Sequence, residues 1–214
     1  MECNPALLKL CERSFPAAVV YAAARDKQVP ARIHALGIDA ELPLGSLPLQ
    51  YRTSASAFAP HQGYLRADPQ RVEFWRVRLR ALGPGLTVGI SWRGGTHASR
   101  VALRSLSLPD WLPVLRTPGV RFVSLQYGAQ VAADLHAFEA QSGIRIEHWS
   151  DAIEDYDETA ALVCALDMTM SVCTSVVHLA GALGAPVWVL APKNVEWRYG
   201  SAGEGMPWYP SARA

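Results

Sequence analysis

The chain has 214 residues, of which 50% are hydrophobic and 18% are charged, and its formal net charge is +1. A chain of this length and apolar content can bury a large core, which excludes a disordered protein. Acidic and basic residues are interspersed, which excludes the strongly basic surface that nucleic-acid binding requires.

The cysteines and the longest apolar run bear on location. The four cysteines, at positions 3, 11, 164 and 173, follow no zinc-ligand spacing, and no signal peptide precedes them. We therefore expect reduced thiols and a cytoplasmic location. The apolar run 160–192 is interrupted by Asp167, His178, two glycines and a proline. This punctuation predicts short buried elements and no transmembrane segment.

The first 67 residues carry weak signals. Asn4-Pro5 is typical of a helix start, and residues 19–22 indicate a short strand. Residues 37–60 are rich in Pro, Ser and Leu and show no sustained period. We interpret residues 1–67 as an incomplete N-terminal α/β remnant with a linker, and residues 68–214 as a Rossmann-like α/β domain.

From Asp68 onward the pattern is regular. Asp68-Pro69 predicts the start of a long helix, and Gly83-Pro84-Gly85 predicts its end. Strands and helices then alternate, which predicts a Rossmann-like α/β fold with a parallel sheet and helices on both faces. The predicted strands are Leu86 to Trp92, Val120 to Gln126, Ile144 to Trp149, Met168 to Val172 and Pro186 to Leu190. The predicted helices between them are Leu108 to Arg116, Ala129 to Gln141, Tyr156 to Leu166 and Ser175 to Leu183.

Ligands of such sheets bind beyond the carboxyl ends of the strands. After the first strand comes a polar loop, residues 93–100, which contains Arg93, Gly94 and Arg100 and is followed by Arg104. Glycine lets a backbone approach a phosphate, and arginine donates two parallel hydrogen bonds to it. The alternative interpretation is an ordinary surface loop.

The turn Cys173-Thr174-Ser175 joins the fourth strand to a helix. Free backbone N–H groups and the helix dipole favour an anion at such a place, and a nucleotide diphosphate is the natural candidate. Thr174 is equally suited to be a simple N-cap. On the residues alone, His178 one turn later is a buried helix residue bonded to a carbonyl oxygen, and a catalytic role for Cys173 is a weak alternative.

Three further residues each have two interpretations. Gln126 suits a base edge or a ribose, or it caps the next helix. Gly181, inside a predicted helix, indicates close backbone packing or ligand approach, whereas Gly184 is an ordinary C-cap. Trp197 is either a platform for a nucleobase or sugar, or a core residue.

The acidic residues before one predicted helix are interpreted as caps that complement its dipole. They show no octahedral ligand pattern, and we predict no metal. These residues are Asp151, Glu154, Asp155, Asp157 and Glu158.

Several of these motifs together resemble one family. Residues 171–190 read Ser-Val-Cys-Thr-Ser-Val-Val-His-Leu-Ala-Gly-Ala-Leu-Gly-Ala-Pro-Val-Trp-Val-Leu. This segment is similar to the donor-site signature of heptosyltransferase-like glycosyltransferases (family 9), in the version found behind tetratricopeptide repeats in bacterial proteins. The resemblance extends from about Tyr64 to Arg213. The further matches are Tyr64 to Asp68, Val88 to Trp92, Arg104 to Leu106, Phe122 to Gln126, Trp197 to Tyr199 and Pro207 to Pro210.

The resemblance implies the C-terminal, donor-binding half of a GT-B glycosyltransferase. It implies metal-independent transfer, with inversion, of a sugar from a nucleoside diphosphate sugar to an acceptor hydroxyl. Arg93, Gly94, Arg104, Thr174, Ser175, His178 and Gly181 then become candidate diphosphate or sugar contacts, and Gln126 and Trp197 become candidate nucleoside contacts.

Two departures support an alternative. The resembling sequences usually carry aspartate where this chain has Cys173. Their general base comes from the N-terminal domain, and no residue of this chain matches it. The alternative is a non-catalytic nucleotide-binding or interaction module derived from the same fold. The acceptor and the catalytic residues stay unassigned.

Overall fold

A computed structural model describes residues 1–23, 31–94, 101–194, 196–200 and 203–214. Two strands pair by themselves near the N-terminus, and six form the main sheet. The strands are β1 (Glu2–Cys3), β2 (Tyr21–Ala22), β3 (Leu86–Ser91), β4 (Val120–Ser124), β5 (Met168–Val172), β6 (Val187–Leu190), β7 (Gly205–Met206) and β8 (Tyr209–Arg213). The α-helices are α1 (Leu8–Ser14), α2 (Ala31–His34), α3 (Pro48–Tyr51), α4 (Pro69–Arg80), α5 (Leu112–Leu115), α6 (Val131–Ser142), α7 (Ser150–Glu154), α8 (Tyr156–Ala165) and α9 (Ser175–Leu183).

The main sheet has the order β4-β3-β5-β6-β8-β7. Every pairing is parallel except that between β7 and β8. The next strand in the sequence, β4, pairs with one side of β3, and the strand after it, β5, pairs with the other side. The direction in which strands are added to the sheet therefore reverses at β3. The carboxyl ends of β3 and β5 therefore flank the crevice where ligands of such sheets bind.

Helices cover both faces of the sheet, and each face has its own core. One core packs α4, α8 and α9 against the sheet and includes Trp75, Leu162 and Val177. The other packs α5 and α6 against the opposite face and includes Ile90 and Phe122. The α/β, Rossmann-like fold class predicted from the sequence is thereby confirmed.

Local capping signals explain where the main helices begin and end. The carboxylate of Asp68 accepts hydrogen bonds from the backbone N–H groups of Gln70 and Arg71 at the start of α4. Gly184 closes α9 at φ 75°, a left-handed conformation that favours glycine. The observed bounds of α9 are those predicted from the sequence.

Two sequence-based assignments in this half are wrong. Residues 144–149 form no strand, because only Glu147 pairs with the edge strand β4, through hydrogen bonds with Phe122 and Ser124. The chain then turns directly into α7, which the sequence did not predict. The helix predicted over Leu108 to Arg116 is split into a 3-10 turn, Leu108–Trp111, and the short α5.

The first helix belongs to the same packed unit as the main sheet. Leu10 of α1 is fully buried in the core that contains α8. The Arg13 guanidinium forms two hydrogen bonds of 2.7 Å with the Asp157 carboxylate of α8. Residues 8–14 thus pack against α8 and share its core. The division at residues 67 and 68 stays a prediction.

Within the described ranges, no helix combines the length and the apolar character that crossing a bilayer needs.

Candidate functional site

The loops that follow β3 and β5 touch each other at the carboxyl edge of the sheet. A Cβ atom added to Gly94 would lie 2.6 Å from the Thr174 side chain and 2.9 Å from the Cys173 carbonyl oxygen. Glycine at position 94 therefore permits contact between the two loops. The rest of the predicted loop after β3, Gly95 to Arg100, lies outside the described residues.

Thr174 is the N-cap of α9. Its hydroxyl accepts a hydrogen bond of 3.1 Å from the Val176 N–H and lies 3.0 Å from the Ser171 hydroxyl. Thr174 is buried, whereas Ser175 in the first turn is exposed to solvent. The N-terminus of α9 is thus capped by the buried Thr174 side chain and is accessible to solvent at Ser175, where the helix dipole favours negative charge.

Arg104 lies against this turn. Its Nε donates a hydrogen bond of 3.0 Å to the Cys173 carbonyl oxygen, and its Nη2 donates to the same oxygen. Its Nη1 donates to a carboxylate oxygen of Glu196 at 3.2 Å. The other Glu196 oxygen accepts a 2.9 Å hydrogen bond from Arg198. Two guanidinium groups and one carboxylate therefore lie beside the start of α9.

Arg93 has a different partner. Its guanidinium forms a 2.6 Å ion pair with Asp134 of α6. Both side chains line a cavity of about 510 Å³ between the end of β3 and α6, together with Trp92, Phe138 and Gln141. The structure thus brings Gly94, Arg104, Thr174 and Ser175 together, and it places the Arg93 guanidinium beside α6.

Gln126 holds the end of β3 in place. Its buried side-chain oxygen accepts hydrogen bonds from the Ser91 hydroxyl and from the backbone N–H groups of Trp92 and Arg93, at 2.8 to 3.1 Å. Its amide nitrogen donates to the Tyr127 carbonyl oxygen. These contacts give Gln126 a positioning role at the end of β3, and its predicted nucleoside contact stays a prediction.

His178 is a residue of α9 whose side chain lies between two tyrosines. Its Nδ1 is 3.3 Å from the Tyr209 hydroxyl, and its Nε2 is 3.5 Å from the Tyr199 hydroxyl. Burial, reinforced by the positive charge of Arg198, lowers the pKa of His178 below its ordinary value. The imidazole is therefore neutral at pH 7, and both of its nitrogens have protein partners.

Gly181 and Tyr209 form one packing unit. A Cβ atom at position 181 would lie 2.3 Å from Cγ of the Tyr209 ring. Of the two sequence-based explanations for this glycine, close packing is the one the contact supports. The partner strand β8 was not predicted from the sequence, so this contact was not foreseen.

Cys173 is a buried thiol. It is only 2% exposed, and burial raises its pKa, although a hydrogen bond from Tyr199 and the charge of Arg104 oppose this shift. A protonated thiol is a poor nucleophile, which argues against a catalytic cysteine.

Trp197 is 68% exposed, which rules out the core interpretation. Its ring meets that of Trp208 edge-on at 5.8 Å, and the Arg198 guanidinium lies 5.3 Å from its centre. It presents an aromatic face beside the Arg104, Glu196 and Arg198 group.

The predicted role of the acidic residues is confirmed in part. Asp155 caps α8 by accepting a hydrogen bond from the Asp157 N–H. Asp151, Asp155, Asp157 and Glu158 pair respectively with Arg78, Lys9, Arg13 and Arg71. Among the described residues, no group of three or more His, Cys, Asp or Glu side chains has the arrangement to hold a metal ion.

Sequence reasoning did not assign roles to Glu196, Arg198, Tyr199 and Tyr209. The sequence shows that charged and aromatic residues are concentrated after β6, but it does not indicate which of the charged side chains form ion pairs. The available sequence signal for this contact was an acidic and a basic residue, Glu196 and Arg198, separated by one position. Their side chains meet at the start of the 3-10 turn Trp197–Tyr199.

The fold and this arrangement define an α/β protein with a Rossmann-like sheet and a cationic group at the carboxyl edge of its strands. The chain is similar to Protein FlbA of Caulobacter vibrioides, with 36% identity over 174 residues. The match covers 79% of this chain and 28% of FlbA, so the chain spans little more than a quarter of that relative. No family model and no solved structure matches the chain.

Proposed function

We propose that this chain is the donor-binding half of a heptosyltransferase-like glycosyltransferase and that it binds a nucleoside diphosphate sugar. The observation that carries the proposal is the contact of Arg104 with the Cys173 carbonyl at the start of α9. It brings a guanidinium and a helix N-terminus to one place, and both stabilise a diphosphate. The resemblance of residues 171–190 to a donor-site signature supports the same ligand.

The proposed chemistry follows from where charge develops. When a sugar leaves its nucleoside diphosphate, negative charge builds on the diphosphate, and fixed positive groups stabilise that charge without a metal ion. Arg104 and the start of α9 supply this stabilisation. A general base must take the proton of the acceptor hydroxyl. In the family the base is on the acceptor-side domain, and we assign it to no residue of this chain.

The proposal also covers the cellular location, the partners and the acceptor of the protein. We propose a cytoplasmic location, since all four cysteines are free thiols. Upstream tetratricopeptide repeats, as in the resembling bacterial proteins, are the proposed partners in the full polypeptide. The acceptor is a glycan, a lipid-linked saccharide or a protein.

Calorimetric titration with UDP, GDP and ADP tests the binding proposal. Replacing Arg104 with alanine removes a charged hydrogen-bond donor and is expected to weaken binding by about tenfold or more. Thr174→Ala is expected to weaken binding too, whereas Thr174→Ser keeps the cap and the affinity. Arg145→Ala is the control, because Arg145 is exposed and pairs only locally with Glu147. Folded wild-type protein that binds none of the three nucleotides would refute the proposal.

A second candidate function is a non-catalytic module that binds the nucleotide but transfers nothing. The buried Cys173 favours it, since the resembling sequences usually carry aspartate there. Assays of donor hydrolysis and transfer, on the chain with its native upstream sequence, separate the two. Nucleotide binding without turnover would support the module.

A further inference from the structure

The carboxylate of Glu196 lies between two arginines. One of its oxygens is 3.2 Å from Nη1 of Arg104, and the other is 2.9 Å from Nη1 of Arg198. The Arg104 side chain is 18% exposed, whereas those of Glu196 and Arg198 are 43% and 45% exposed. Arg104, Glu196 and Arg198 thus form a continuous series of ion pairs, with Arg104 the most buried and the other two exposed to solvent.

Arg104 keeps its position without Glu196. Its Nε and Nη2 are bound to the Cys173 carbonyl oxygen, so the backbone turn before α9 fixes the guanidinium. Only Nη1 faces the carboxylate. An anion that replaced Glu196 would therefore meet a donor already in place, at no cost in reorganising it.

Glu196 is free to leave, because the local fold does not depend on its side chain. It occupies the N-cap position of the 3-10 turn Trp197–Tyr199, but its side chain makes no capping hydrogen bond. The turn is anchored instead by the buried ring of Tyr199, which contacts His178. Movement of the Glu196 carboxylate thus leaves the turn intact.

We propose that Arg104 and Arg198 form a two-arginine clamp for the diphosphate, and that the Glu196 carboxylate occupies this clamp until the ligand displaces it. Carboxylate and phosphate oxygens compete for the same guanidinium donors. A diphosphate has an oxyanion for each of the two guanidinium groups, so it replaces both contacts of Glu196. The inference rests on the proposed function for the identity of the ligand and adds Glu196 as the residue that sets its affinity.

Titration with inorganic pyrophosphate tests the clamp without a nucleoside. Glu196→Gln removes the competing charge and is expected to tighten pyrophosphate binding by about tenfold. Adding Arg198→Ala to that variant is expected to cancel the gain. Thermal unfolding of each variant verifies that it is folded.

The chain offers a matched control in Glu73. This carboxylate also contacts two arginines, Arg80 at 2.7 Å and Arg76 at 3.8 Å, but on the exposed side of α4. Glu73→Gln changes the net charge equally and is expected to leave pyrophosphate affinity unchanged. Equal effects of the two substitutions, or no tightening with Glu196→Gln, would overturn the clamp.

The outcomes separate this inference from the proposed function. If nucleoside diphosphates bind through Arg104 but Glu196→Gln changes nothing, the clamp is refuted and the proposed function stands. If Glu196→Gln tightens pyrophosphate binding while UDP, GDP and ADP do not bind, the clamp stands and the proposed function is refuted. Absence of pyrophosphate binding to every variant refutes the clamp.

Discussion

A single side chain, that of Gln126, fixes the backbone at the end of β3 in the candidate site. Its carbonyl oxygen accepts three hydrogen bonds from the end of β3, including those from Trp92 and Arg93. The sequence indicated that Gln126 stands at the carboxyl edge of the sheet, which is confirmed. It did not indicate the partners, because they come from a neighbouring strand more than thirty residues away.

His178 is a second residue whose surroundings decide its behaviour. Tyr199 and Tyr209 face its two nitrogens, and Arg198, Arg104 and Glu196 are the charged groups that act on it. Burial is the largest cause of its lowered pKa, and the two arginines act in the same direction. The protonated form is therefore disfavoured in the folded state.

We predict that the protein loses stability as the pH falls below 6.5, the ordinary pKa of histidine. Below that value the unfolded state binds a proton that the folded state resists, so the free energy of unfolding decreases. Well above pH 6.5 the imidazole is neutral in both the folded and the unfolded state, so it does not lower the free energy of unfolding there. Urea unfolding of the wild type and of His178→Gln, at pH 7.5 and pH 5.5, measures it.

His148 contributes to the same dependence, because burial lowers its pKa as well. His148→Gln is therefore the comparison variant, and each substitution is expected to flatten part of the pH dependence. An unchanged pH dependence in His178→Gln would show that the imidazole is protonated as easily in the folded state as in the unfolded one.

Among the elements, the β5-α9-β6 unit and the edge strand β4 were predicted well, whereas β7 and β8 at the opposite edge of the sheet were not predicted. The bounds of α9 follow from signals inside the segment itself: the Thr174 cap, the apolar helix face and Gly184. The strand β8 contains Pro210 and follows a short turn, so no local pattern indicated a strand there. Its place beside β6 is decided by packing against α9, which a local pattern does not contain.

We predict that Gly181→Ala destabilises the protein although alanine favours helices. The new methyl group would overlap the Tyr209 ring, and overpacking of this kind costs roughly 2 kcal/mol, more than the helix propensity returns. Chemical denaturation measures the free energy of unfolding. Gly45→Ala is the control, because nothing lies within 4 Å of a Cβ atom at that position.

A test of the cause follows from the same contact. Tyr209→Ala removes the ring that the methyl group would meet, so Gly181→Ala should cost less in that background than in the wild type. Additive effects would mean that the ring is not the obstacle and that α9 and β8 are not packed as described.

On the scale of the whole molecule, the parallel sheet sets which loops meet. Residues 94 and 104, which follow β3, are far in the sequence from residues 174 and 196, and the strand order brings them to one edge. The alternation of strands and helices predicted this edge from the sequence. It did not predict the pairing of Arg93 with Asp134 or of Arg104 with Glu196, because ion pairs depend on side-chain directions that periodicity does not specify.

Nuclear magnetic resonance of the ¹⁵N-labelled chain, titrated with UDP, GDP and ADP, shows directly where a nucleotide binds. We predict that the signals that shift belong to Gly94, Ser175 and the Arg104 guanidinium, at the carboxyl ends of β3 and β5. Shifts confined to the cavity between β1 and residues 36–47 near the N-terminus would contradict it, as would no shift with all three nucleotides at millimolar concentration.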